Sequence, residues 1–180
     1  MIYQTKISAN SGIVLLAYDF IEVWGEWMLN DRQYPIDREI KLLNRMDELE
    51  RLNERLEEIG ADVGWTARAV LDLSLACEEL VVNIVNYGFP SGGEHSIAVI
   101  IQASPSSVEV KIEDGGIPFN PLDNSDASAL LDLELDDRPI GGLGIFFVKR
   151  LMDDIHYEYT GGINRFRMRK QFQPKESHNE

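Results

Sequence analysis

One hundred and eighty residues, at about 150 per domain, make one compact domain with room for an appendage; 44% hydrophobic and 27% charged residues exclude wholesale disorder and fibrous repeats. Seventeen Lys plus Arg against 31 Asp plus Glu leave a net charge of −14, which repels a phosphate backbone and disfavours direct nucleic-acid binding. The lone Cys77 can form neither an intramolecular disulfide nor a multi-cysteine metal site, so a reducing, cytoplasmic setting is expected.

Residues 1–33 read as an appendage. They hold two of the three tryptophans, Trp24 and Trp27, and an apolar face suited to a helix from about Gly12 to Asn30. Such a segment packs on the main domain, is an overlong start to the gene, or offers a dimer or partner surface. Asp19, Glu22 and Glu26 interrupt its apolar run and no small-residue cleavage signal follows. It is expected neither to span a membrane nor to export the chain.

From residue 34 to residue 173 the pattern is regular. A short strand at Arg38–Leu43 leads to a helix through Met46, Leu49, Leu52, Leu56 and Ile59, which Gly60 is expected to end. A second helix, Trp65–Tyr87, runs through Val70, Leu73, Leu80 and Ile84 to a stop at Gly88 and Pro90. Ser96–Ala103 and Val108–Glu113 form a hairpin with one wet face, because Val108, Val110 and Ile112 alternate with Glu109, Lys111 and Glu113. An Asp- and Gly-rich loop from Asp114 to Leu143, a helix at Gly144–Asp153 and strands at Ile155–Thr160 and Asn164–Phe172 complete the domain; residues 174–180 read as a frayed tail. Helices followed by hairpins predict an α+β fold, a two-layer sandwich with helices on one face of a mixed, mostly antiparallel sheet.

Three segments carry candidate chemistry. Glu79, Asn83 and Asn86 recur at spacings of four and three, which puts them on one face of an otherwise apolar helix. Taken alone that stripe is either a solvated helix edge or a base beside an oxygen ligand for a hard cation such as Mg²⁺. The run Asp114-Gly-Gly-Ile-Pro-Phe119 lets the backbone approach a ligand closely while the carboxylate accepts a hydrogen bond, although a plain Asp-Gly turn reads the same way. Arg138-Pro-Ile-Gly-Gly-Leu-Gly144 feeds a helix, so free N–H groups and the helix dipole converge where an anion would sit. No Gly-Lys-Ser/Thr follows, and Phe147 stands at the last glycine position of a dinucleotide fingerprint. His95, His156 and His178 have no second ligand at metal spacing, which disfavours zinc.

In this order the three segments resemble the N, G1 and G2 boxes of the GHKL ATPase superfamily, with its Bergerat nucleotide-binding fold. The resemblance covers about Tyr34 to Phe172 and is closest to the small bacterial anti-sigma-factor serine/threonine kinases of partner-switching systems. Ala76 to Asn83 is similar to their N box, Asp114 to Phe119 to their G1 box, and Arg138 to Asp153 to their G2 box and following helix. Gly162-Ile163-Asn164 matches the Gly-x-Asn before their last strand. The resemblance implies ATP and Mg²⁺ as cofactors, with Asn83 carrying the ion, Glu79 orienting or deprotonating the attacking hydroxyl, Asp114 accepting the adenine amino proton and Gly116 letting the base lie close. Gly141, Gly142, Leu143 and Gly144 would wrap the phosphates, Asn86 and Asn164 would belong to the nucleotide site, and Arg138 would neutralise charge on the γ-phosphate. Asn86 stands where many relatives have a histidine, and Leu122–Asp137 holds six acidic residues and no basic one. The expected partners are a small anti-sigma-factor antagonist, a sigma factor and a second copy of the chain. A nucleotide-dependent binding module without kinase activity is the alternative.

Overall fold

The computed structural model describes residues 34–123 and 143–172. Strand β1 (Ile36–Leu43) is followed by helices α1 (Glu48–Val63) and α2 (Ala67–Asn83), a π turn (Ile84–Gly88), strands β2 (Ser96–Ser104) and β3 (Ser107–Asp114), helix α3 (Leu143–Leu151), and strands β4 (Asp154–Thr160) and β5 (Ile163–Gln171). The expected helix in residues 1–33 and the tail lie outside the described residues. Among the described residues no helix is long and apolar enough to cross a membrane.

The five strands form one sheet in the order β1-β2-β3-β5-β4. All four pairings are antiparallel, so the α+β sandwich stands while the expected mixed sheet is corrected. β1 and β2 are joined through α1 and α2, a pair of helices that returns the chain antiparallel to β1, while α3 leads to the edge strand β4, and β4 reaches β5 through Gly161 and Gly162. Both glycines have positive φ, 64° and 82°, as a two-residue hairpin turn with the right-handed strand twist requires.

Strand alternation separates the two faces. Ile97, Val99 and Ile101 of β2, Val108, Val110 and Ile112 of β3, and Phe166 and Met168 of β5 are buried on the helical side. They meet Leu52, Leu56 and Ile59 of α1, Leu73, Ala76, Cys77 and Leu80 of α2, and Val148 of α3, all buried as well. The other face carries cross-strand ion pairs such as Glu113–Arg165 and Arg165–Glu158. Exposed pairs of this kind hold register more than they add stability.

The stop of α1 falls at a later glycine than expected. Gly60 does not end α1 but is buried within it, where a Cβ would come to 2.5 Å from Val70 Cγ2, so its missing side chain lets α1 and α2 approach. Gly64 is the stop, with φ 79° and its N–H bonded back to the Gly60 carbonyl. Met46 precedes α1 and is exposed. Thr66 caps α2, its hydroxyl accepting from the Ala69 N–H at 3.2 Å, so α2 starts at a fixed point and its polar stripe arrives in register over the sheet.

Candidate functional site

The site begins with strand parity. Asp114 is the last residue of β3 and follows Val108, Val110 and Ile112 onto the inner face, where it is only 6% exposed. Directly opposite on β5, Asn164 is 7% exposed. A carboxylate buried at the end of an apolar ladder must be hydrogen-bonded to be tolerated. Asp114 Oδ1 accepts from the Gly116 N–H at 2.7 Å and from Asn164 Nδ2 at 3.0 Å. Among the described residues nothing donates to Oδ2, which leaves one acceptor for a ligand.

Gly116 lies against the π turn. A Cβ at this position would be 2.5 Å from the Gly88 carbonyl oxygen and 2.7 Å from Asp114 Oδ1, so no other residue fits without moving backbone. The Ile117 N–H donates to that same Gly88 carbonyl at 2.9 Å. Gly88, which the sequence marks as a stop signal, therefore also anchors the Asp-Gly-Gly turn.

These contacts frame a hollow with apolar walls from Leu80, Ile84, Ile112, Ile117, Phe119 and Phe166, and polar groups from Asn83, Asp114, Tyr157 and Asn164. Its cavity volume is about 40 Å³ and it opens to solvent. Apolar walls with a buried carboxylate oxygen that accepts no internal hydrogen bond suit a planar ring that presents an amino group.

Asn83 lines the hollow from the end of α2, and Glu79 sits one turn earlier. The Glu79 side chain lies against Gly144, at the start of α3: a Cβ there would overlap the carboxylate, coming to 2.5 Å from Cδ. Burial, and then the charge of neighbouring Glu78, push the Glu79 carboxyl above the usual glutamate range. A carboxylate against the N-terminal end of a helix, beside a half-buried carboxamide that also lines the hollow, forms the polar side of the site.

The expected residues do not all converge. Glu79, Asn83, Asp114, Gly116, Gly144 and Asn164 come together. Asn86 does not line the hollow and is exposed, because the helix widens to a π turn at Ile84 and each further residue sweeps a smaller angle, so the stripe slips off its face after Asn83. Arg138, Gly141 and Gly142 lie outside the described residues, as does the Leu143 side chain. Among the described residues no group of three His, Cys, Asp or Glu could hold a metal. An ion at Asn83 would need most of its oxygens from a bound ligand and water, as Mg²⁺ with a nucleotide does.

Sequence reasoning misses Tyr157. Its hydroxyl donates to Asn164 Oδ1 at 2.7 Å and accepts from the Phe119 N–H at 3.1 Å. The available signal was parity: the Gly161-Gly162 turn fixes the hairpin so that Tyr157 pairs with inward Phe166.

The family described as histidine kinase-like ATPase domain matches residues 42–170. The serine-protein kinase RsbW of Listeria monocytogenes is 29% identical over 111 residues, 61% of this chain and 71% of that one. The serine/threonine-protein kinase BtrW of Bordetella bronchiseptica is 28% identical over 120 residues, 67% and 83% of the two chains. In solved structures, the RsbU and RsbW domains of Rv1364c from Mycobacterium tuberculosis align with a TM-score of 0.52 at 15% identity. That likeness concerns the fold, and it covers 77% of this chain and 33% of the solved one.

Proposed function

Because the chain belongs to the histidine kinase-like ATPase domain family, we propose that it is a Mg-ATP-dependent protein serine/threonine kinase that phosphorylates a small antagonist protein and sequesters a sigma factor when that antagonist is unavailable. The observation that carries this reading is the division of one site into two ends. Asp114 offers a single acceptor in an apolar hollow, and Glu79 lies against Gly144 at the start of α3, with Asn83 next to it on α2. The kinase names of the relatives support phosphoryl transfer over binding alone.

In this reading Asp114 Oδ2 accepts from the adenine amino group and Gly116 lets the ring lie on the Asp-Gly-Gly turn. The Asn83 carboxamide oxygen holds the ion, and Gly141 to Gly144, Leu143 included, offer backbone N–H groups to phosphate oxygens. Mg-ATP supplies the γ-phosphoryl group and the positive charge that an acidic chain lacks. Glu79 orients the incoming hydroxyl and takes its proton as the oxygen bonds to the γ-phosphorus, the bond from that phosphorus to the β–γ bridging oxygen breaks and ADP leaves, and Arg138 offsets the charge that develops there. A raised carboxyl holds that proton more readily than an ordinary one.

The proposal includes a cytoplasmic homodimer with residues 1–33 as appendage and 34–173 as the kinase domain. Its test is incubation with γ-labelled ATP, magnesium and the antagonist. Label on an antagonist serine or threonine is expected. An antagonist that is captured in the presence of ATP but never labelled would leave a binding module in place of a kinase.

A further inference from the structure

The hollow contains more hydrogen bonding than Asp114 alone requires. Asn164 Nδ2 faces three oxygens: Asp114 Oδ1 at 3.0 Å, the Ile117 carbonyl at 3.1 Å and the Gly116 carbonyl at 3.3 Å. Its Oδ1 faces two donors, the Tyr157 hydroxyl at 2.7 Å and the Phe119 N–H at 3.4 Å. A flipped amide would set oxygen against three oxygens and nitrogen against two donors, so the partners fix one orientation. Tyr157 is itself held, since it accepts from the Phe119 N–H at 3.1 Å and so has only its own proton to give, to Asn164.

We propose that Tyr157 is a positioning residue for base recognition: its hydroxyl locks the Asn164 amide, the amide occupies Asp114 Oδ1, and the remaining Asp114 oxygen is thereby left to read the base. This rests on the nucleotide-binding reading above and adds the device that sets its selectivity. Tyr157 stands on the edge strand β4, so one hydroxyl joins β4, β5 and the segment that follows the Asp-Gly-Gly turn. Burial keeps this hydroxyl above the ordinary tyrosine range, outweighing the Phe119 amide that favours its ionised form, so it remains a donor at neutral pH. Without it, Asn164 Oδ1 keeps only the Phe119 N–H at 3.4 Å, so the amide is held less firmly and its bond to Asp114 Oδ1 loosens. The carboxylate, still held by the Gly116 N–H, then has a weaker second anchor and presents its other oxygen to the base less accurately.

The experiment compares MgATP and MgGTP binding by calorimetry in wild type, Tyr157→Phe, Asn164→Ala and the double variant, with Tyr159→Phe as a control. Tyr157→Phe keeps the ring that lines the hollow and removes one neutral hydrogen bond, so ATP affinity should fall by about tenfold. GTP, which presents an acceptor to Asp114, should change little, so the preference between the two nucleotides collapses. In turnover, KM for ATP should rise with kcat nearly unchanged. Asn164→Ala should give the same loss, and adding Tyr157→Phe to it should give no more. Tyr159→Phe, exposed on the same strand, should leave both affinities at wild-type values. A loss of general packing would weaken both nucleotides alike. A Tyr157→Phe protein that retains the wild-type preference overturns the role of Tyr157 alone; a wild type that binds neither nucleotide overturns the nucleotide reading as well.

Discussion

Glu79 is where the chemistry of the proposed kinase is most exposed to test. Glu79→Gln keeps the shape and loses the proton affinity, so nucleotide should still bind while transfer falls by about 10²–10⁴-fold in a single-turnover assay. A wild-type rate in that variant removes the base. The raised carboxyl gives a second readout: a base must be ionised, so the rate should fall on the acid side at a pH above the ordinary glutamate range of about 4.3. Glu78→Gln removes the second cause of the shift and should move that limb to lower pH. For stability the sign is reversed. A raised acid contributes fully below its unfolded pKa, and the contribution is lost as pH rises through the folded value. Gly144 supplies the complementary test. In Gly144→Ala a methyl would occupy the place of the Glu79 carboxylate, so transfer should fall by about 10²-fold, the scale of a displaced base, while adenine binding at Asp114 persists. Equal loss of binding and transfer would show that Gly144 serves packing rather than Glu79.

At the scale of elements, the glycines of α1 divide close approach from termination. Gly60→Ala forces a methyl onto Val70 and should cost about 1–3 kcal/mol by overpacking, measured by denaturant unfolding. Gly64→Ala has open space around it but must hold φ 79°, so its cost should be near 1–2 kcal/mol and should appear as fraying of the α1 end in hydrogen exchange. A neutral Gly60→Ala would mean that α1 and α2 shift freely. Sequence periodicity supplies both helices, because apolar residues at spacings of three and four can bury only one face. It cannot say which of two nearby glycines ends the helix, since that depends on what α2 brings alongside. The same limit applies to the end of α2. The spacing of Glu79, Asn83 and Asn86 assumes a constant turn, and the π turn at Ile84 breaks it just where Gly88 must meet the Gly116 backbone. Asp114 was legible from its motif, although the strand that buries it runs one residue further than the expected end at Glu113. Tyr157 was not, because a tyrosine on an edge strand reads as surface until the β4–β5 register places it inward.

The whole molecule sets the electrostatic terms of nucleotide binding. A chain of charge −14 repels a nucleotide polyphosphate at long range, and the described part of the site offers it a helix N-terminus and a carboxamide. The proposed ion therefore has to lower the ligand's charge and add local positive field at Asn83. This predicts an unusual salt dependence. A site built from Lys and Arg loses polyanion affinity as salt rises, because the attraction is screened. Here the magnesium-free encounter is repulsive, so raising ionic strength from about 0.01 M to 0.15 M, which shortens the Debye length from about 30 to 8 Å, should strengthen ATP binding in the presence of a chelator. With saturating magnesium the nucleotide carries less charge, so affinity should be higher throughout and its salt dependence flatter. Calorimetric titrations at the two ionic strengths, with magnesium and with chelator, separate the cases. Magnesium-free affinity that falls steeply with salt would point to a cationic phosphate clamp and would remove the ion from its proposed role in overcoming the charge of the chain.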